Sequence, residues 1–216
     1  MRQQAIDPTL WQEGLGALAI VGTVIGSPLL RPWYSHWGYA DDTPGQALPG
    51  DQFVPRPNLQ NNRSILIRAT PEEVWPWLLQ IGQGRGGLYS YVRLENLVGC
   101  NMKNAAQVLP ELQALAVGDQ IRLAEGEGGP TYTVRAIMPN EALILGGDSP
   151  PNSWAFILKP IANGMTRLIA RYRIAYPRTV ANFVMWRLLV DPIHFIMERQ
   201  MLYGIKARAE QMARAQ

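Results

Sequence analysis

Cysteine is almost missing from this chain: Cys100 is the only one among 216 residues. A disulfide framework and any cysteine-cluster metal site are thereby excluded. Histidine is nearly as scarce, with His36 and His194 alone. Charge is thin as well, at 17% Asp, Glu, Lys and Arg, against roughly 25% in an average globular domain. There is no nucleophile elbow to support Ser/His/Asp catalysis, and no internal repeat. What remains is an apolar chain, 47% hydrophobic with seven tryptophans. That composition suits a large apolar interior or a membrane-facing surface and is the opposite of a disordered one. The length fits one medium domain with additions.

The net charge of +3 conceals an asymmetry. Residues 159–216 hold ten basic and three acidic residues, a net +7, whereas residues 1–158 hold ten and fourteen, a net −4. A basic C-terminal face can meet anionic lipid. Its ordinary meaning is a solvated helix and strand face, and no nucleic-acid partner is expected.

Gly14 to Leu30 run without a charge for 17 residues, the short end of the roughly 17–25 that span a bilayer. Four glycines and Pro28 weaken the run as a water-exposed helix and are tolerated in membrane helices. Arg31-Pro32-Trp33-Tyr34-Ser35-His36-Trp37 follows, rich in interfacial side chains. Asp7 and Glu13 spoil a signal-peptide n-region. Residues 14–30 therefore read as a membrane anchor, a single pass of undetermined orientation because Arg2 and Arg31 flank it evenly. A helix packed on the domain is the alternative. Residues 1–36 form this N-terminal segment, and 37–61, rich in Pro and Gly (Pro44, Pro49, Pro55, Pro57), read as an extended linker.

The globular part, 62–216, opens with a β-branched run, Arg63–Ala69. Thr70 then caps a short helix, with Pro71 at its first position and Glu73 completing a capping box. Val74, Trp77, Leu78 and Ile81 give that helix one buried face, and Gly82 ends it. A second short helix is expected over 92–98 and a further helical turn around 105–109. The period then switches to two. Strands are expected over 120–124, 131–138, 142–147, 153–160 and 166–176, separated by Glu127-Gly128-Gly129-Pro130, Pro139-Asn140, 146–151 and the hairpin signal Asn163-Gly164. In the last strand Arg167, Arg171 and Arg173 share one face. Leu168, Ala170, Tyr172 and Ile174 share the other. Such a sheet should have one apolar and one wet face. A long helix over 180–214 closes the chain, with Asp191-Pro192 marking a restart capped by Asp191. The economical packing is an α+β fold: a curved antiparallel sheet whose apolar face is covered by the long C-terminal helix.

This order, and the opening Ile65-Leu66-Ile67-Arg68-Ala69-Thr70-Pro71-Glu72-Glu73-Val74-Trp75, resembles the SRPBCC superfamily, which includes START lipid-binding, polyketide cyclase-like and pollen-allergen-like proteins. Trp37-Gly38 through Leu48-Pro49-Gly50-Asp51, the run from Gly82 to Asn96 and His194-Phe195-Ile196-Met197-Glu198-Arg199 are similar to a narrower bacterial branch of it. The resemblance covers about residues 37–212. It implies the helix-grip fold and a hydrophobic cavity between sheet and long helix. It carries over no catalytic residue.

Gly82-x-Gly84-x-x-Gly87 matches the dinucleotide fingerprint, but that motif works after a strand and at a helix start; here it follows a helix. It reads instead as a tight loop beside a cavity mouth. Arg85 within it either meets an anionic head group or bonds backbone carbonyls. Asp191, His194 and Glu198 fall at i, i+3 and i+7 and are the weak candidates for acid/base chemistry. Asp191 is equally a cap, and His194 equally a packed ring. Trp77, Tyr89, Tyr91, Trp154, Phe156, Tyr172, Phe195, Met197 and Met201 supply apolar walls of the kind a lipid-like ligand needs. No cofactor and no metal are expected. Three functions follow: binding or carriage of a hydrophobic small molecule or lipid, a cyclase- or hydrolase-type enzyme in the same cavity, or an interaction module acting through the basic C-terminal face.

Overall fold

A computed structural model describes residues 8–39, 46–126 and 129–215. Arg2, Asp7, Pro44 and the Glu127-Gly128 part of one turn lie outside them. The elements are α1 (Pro8–Tyr34), β1 (Leu59–Ile67), α2 (Pro71–Leu79), α3 (Val92–Leu97), β2 (Gln120–Arg122), β3 (Thr131–Met138), β4 (Ala142–Asp148), β5 (Pro151–Ile161), β6 (Met165–Ile174), α4 (Val180–Phe183) and α5 (Asp191–Ala215). All neighbouring strands are antiparallel, in the order β1-β6-β5-β4-β3-β2. The concave face packs on α2 and α5 around Trp75, Leu78, Phe156, Ala170, Met201 and Ile205. This is the helix-grip architecture.

Local chemistry explains the elements. The Thr70 N–H donates to Glu73 Oε2 at 2.6 Å and closes the start of α2. Gly82 and Gly87 exchange backbone hydrogen bonds, 3.0 Å each way, so the glycine loop folds on itself as a tight hairpin. Asn163 and Gly164, both at positive φ, turn β5 into β6, as such pairs do. The helical turn expected at 105–109 is absent. Its backbone is held by distant groups instead: Ala105 N–H donates to Gly86 O at 2.9 Å and Leu109 N–H to Gln80 Oε1 at 2.9 Å.

Two further expectations are corrected. First, the outer sheet face is not wet. Leu48 packs there with Ile144, Ile157 and Ile169. Asp51 Oδ2 accepts from Arg171 Nη2 at 2.8 Å and the carboxylate pairs with Arg173; both guanidiniums are buried. The proline-rich stretch before β1 is thus a cover for the sheet, which converts an alternating strand into one buried on both sides. Second, Asp191 is not a cap. It has helical φ and ψ, and the chain runs without a break from α4 through a π-helical segment, Val184–Val190, into α5. The wider turn absorbs Pro192, which has no N–H to give. The Arg187 carbonyl, five residues before that proline, accepts from Ser27 Oγ of α1 at 3.1 Å instead.

Helix α1 lies along the domain and touches α3, the π segment and α5. Ahead of the buried Tyr34 that ends it, its buried positions are small or polar: Gly16, Thr23 and Ser27. A Cβ on Gly16 would come within 2.7 Å of the Tyr91 ring, so the close approach needs glycine. The large apolar residues, Leu15, Leu18, Val21, Ile25 and Leu29, face outward. Small residues inward and large apolar ones outward is the packing logic of helices in lipid.

Candidate functional site

Between the sheet, α3 and α5 lies a cavity of about 540 Å³. Tyr132 and Trp154 come from the sheet, Leu123 from the turn just after β2, Leu94 and Glu95 from α3, and His194, Met197, Glu198 and Met201 from α5; Ile20 of α1 adds to the wall. Leu97 and Val98 also line it and are 83% and 77% exposed, so they mark its mouth, next to α1.

Beneath the cavity floor a guanidinium organises everything polar. Arg63 of β1 is 0% exposed. It donates to Glu198 Oε2 at 2.8 Å, Asp191 Oδ1 at 3.2 Å, the Tyr34 carbonyl at 2.9 Å and His194 Nδ1 at 3.3 Å. Asp191 also accepts from Asn61 Nδ2 at 2.7 Å and the Tyr34 hydroxyl at 3.3 Å, and it pairs with Arg31 Nε at 3.3 Å. Glu198 Oε1 accepts from Trp154 Nε1 at 2.6 Å. Two cations thus face two carboxylates, and each carboxylate is ringed by donors. Buried charge is tolerated on those terms. Because His194 Nδ1 accepts from Arg63, the ring proton sits on Nε2. Burial holds the imidazole below its ordinary 6.5, against the opposing pull of Glu198. His194 is a neutral ring wedged between Trp154 and Tyr172, at centroid distances of 5.3 and 4.9 Å.

Glu95 is the contrary case. It is 5% exposed, and among the described residues neither carboxyl oxygen finds a donor. Burial, with Glu13 of α1 adding repulsion, pushes its carboxyl up to about 8. At neutral pH it is a protonated acid in the apolar wall. It also raises the Cys100 thiol beside it, secondarily to burial.

The structure gathers Trp154, Met197, Met201, His194 and Glu198 at the cavity. Tyr172 lies behind it, hydroxyl-paired with Tyr132 and raised by burial. Asp191 sits deeper, in the Arg63 network. Phe156 is in the main core. Phe195 stacks on Tyr34 at 5.2 Å under α1. Tyr91 packs against Gly16. Trp77 and Tyr89 meet edge-on at 6.0 Å, with the Tyr89 hydroxyl donating to Trp77 O at 3.3 Å. Arg85 donates to the Leu79 and Leu112 carbonyls at 2.9 and 3.2 Å, the backbone-bonding alternative. Sequence reasoning missed Arg63 and Glu95. An arginine in a strand looks like a solvated side chain, and its acids lie 128 and 135 residues away. Glu95 looked like an ordinary surface position of a short helix. Each oxygen of the two carboxylates has a donor or a cation beside it.

No family model matches the sequence, and no curated protein matches it at a significant level. Solved structures do align with the fold. The Zhui aromatase/cyclase from Streptomyces sp. R1128 is 14% identical, with a TM-score of 0.46, over 73% of this chain and 96% of that one. A Polyketide_cyc-like protein from Corynebacterium glutamicum is 15% identical, with a TM-score of 0.44, over 75% and 97%. The Aha1 protein of Colwellia psychrerythraea is 17% identical, with a TM-score of 0.37, over 64% and 96%. At such values the likeness is one of architecture alone.

Proposed function

We propose that this protein binds and carries a hydrophobic small molecule or lipid in the cavity beside α5, while α1 rests on a membrane surface. The observation that carries the reading is the apolar cavity of about 540 Å³ with its mouth at Leu97 and Val98, beside α1. Cavities of this size hold drug-sized or lipid-like molecules, with a few polar groups setting orientation.

Two helical stretches, Leu10–Tyr34 and Val180–Ala215, are long and apolar enough to cross a membrane. The packing of α1 favours an in-plane position over a crossing. Near one end, the Glu13 carboxylate accepts from the Arg93 and Leu94 N–H groups at 3.1 and 3.3 Å. Near the other, Arg31 pairs with Asp191. Both ends are fastened to one body, and a crossing would carry α3 and the Arg63 network into hydrocarbon, at a cost of several kcal/mol per unmatched polar group. An amphipathic helix lying in the interface has no such cost.

The test is displacement of a fluorescent apolar probe by lipid extract, with the intact chain and with Met197→Trp, which fills the cavity. Saturable binding to the wild type and loss in the variant are expected. Equal binding to both would remove the cavity from the function.

A further inference from the structure

A second concavity, of about 520 Å³, lies where the chain leaves β6 and enters the C-terminal helix. Asn58, Tyr176, Arg178, Val180, Phe183 and Arg187 line it, and its described lining contains no acidic side chain. Arg187 is fixed in place by donating to the Asn58 carbonyl at 2.5 Å. Arg178 stands exposed on the opposite rim. One wall is rigid, because Tyr176 stacks on Trp186 with centroids 6.0 Å apart and rings 12° from parallel.

The arrangement along the helix decides what this groove meets. Val180, Phe183 and Arg187 line the groove together, and Val184 lies one turn after Val180, so three apolar side chains stand close to a guanidinium. All three apolar residues are exposed. In water that face is costly and serves nothing. At a bilayer, the apolar side chains enter the acyl region while the guanidinium stays at the level of the phosphates, which it can bind in bidentate fashion. The same helix is joined to α1 through Ser27 and the Arg187 carbonyl, so the groove and α1 belong to one packed unit. Two guanidiniums in a described lining that holds no acid select negative charge, and the net +7 of residues 159–216 acts in the same direction. We infer that this groove binds the phosphate of an anionic lipid headgroup in a bilayer, and so sets which membrane the carrier visits. The inference rests on the in-plane membrane reading above.

The experiment is cosedimentation of the full chain with phosphatidylcholine vesicles and with vesicles in which part of that lipid is replaced by phosphatidylglycerol. Two arginines near an anionic surface should raise binding to the second set by roughly ten- to thirtyfold. Arg178→Gln should lower that preference and Arg178→Gln with Arg187→Gln should abolish it, with binding to neutral vesicles unchanged. Arg178 is exposed, so the single variant keeps the test alive if the double variant misfolds. Inorganic phosphate should compete weakly; full loss of the preference at modest phosphate would assign the groove to free phosphate and overturn the lipid assignment. Equal wild-type binding to both vesicle sets overturns the inference and leaves the membrane reading standing. Failure to bind either set overturns both.

Discussion

Two acidic sites flank one cavity, and they are treated in opposite ways. Asp191 and Glu198 are buried among donors and balanced by Arg63 and Arg31. Glu95 is buried almost as deeply, with no donor on either oxygen. The first is a closed polar network that holds β1, α1 and α5 together. The second is an open position in the cavity wall on the side of α1. A buried carboxyl without partners stays neutral rather than charged, so the wall remains apolar at neutral pH. It nevertheless keeps a hydrogen-bonding group within reach of whatever occupies the cavity. Burial alone does not decide what an acid does: the paired carboxylates have their partners within the fold, and among the described residues Glu95 has none.

The contrast breaks most sharply at its cation. Arg63→Met should cost about 3–5 kcal/mol, since it leaves the buried Glu198 without its guanidinium and Asp191 with Arg31 alone. Urea unfolding of the variant measures this, and a loss below about 1 kcal/mol would mean that the network is solvated. The next effect concerns Glu95. The folded chain keeps its proton up to about 8, whereas the unfolded chain releases it near 4.5. The folded state therefore holds the extra proton between those values, and stability falls as pH rises through that window. Glu95→Gln should remove this loss, so the variant gains about 4–5 kcal/mol on the wild type between acid and mildly alkaline pH. The difference between the two proteins is the quantity to measure, because His194 acts with the opposite sign. Its folded value is lowered, so its contribution is lost as pH falls below 6.5. A flat difference curve would mean that Glu95 has found a partner. The smallest effect is on the outward face of α1. Leu18→Ser with Ile25→Ser should change stability by less than about 0.5 kcal/mol while vesicle binding drops. A large destabilisation would instead mean that this face packs against protein.

The fold was largely legible, because its signals are local. Thr70 and Glu73 lie three residues apart, Asn163-Gly164 sits between alternating runs, and β3 spans the residues its period marks, Thr131–Met138. What escaped was set by distance along the chain. The cover on the outer face depends on Asp51 reaching Arg171, 120 residues later. Asp191 looked like a cap because Asp-Pro begins helices, yet the π turn before it lets the helix continue and frees its carboxylate for Arg63. The cavity residues on α5 were readable as an apolar stripe with His194 and Glu198. The division between occupied Glu198 and unoccupied Glu95 was not, since it turns on which strand and which helix each side chain faces.

Mass analysis of the intact chain, isolated under native conditions and then extracted with organic solvent, addresses the carrier reading most directly. A single apolar molecule per chain, absent from Met197→Trp, is the expected result. A wild-type chain that yields no apolar molecule, even after incubation with lipid extract, would contradict it.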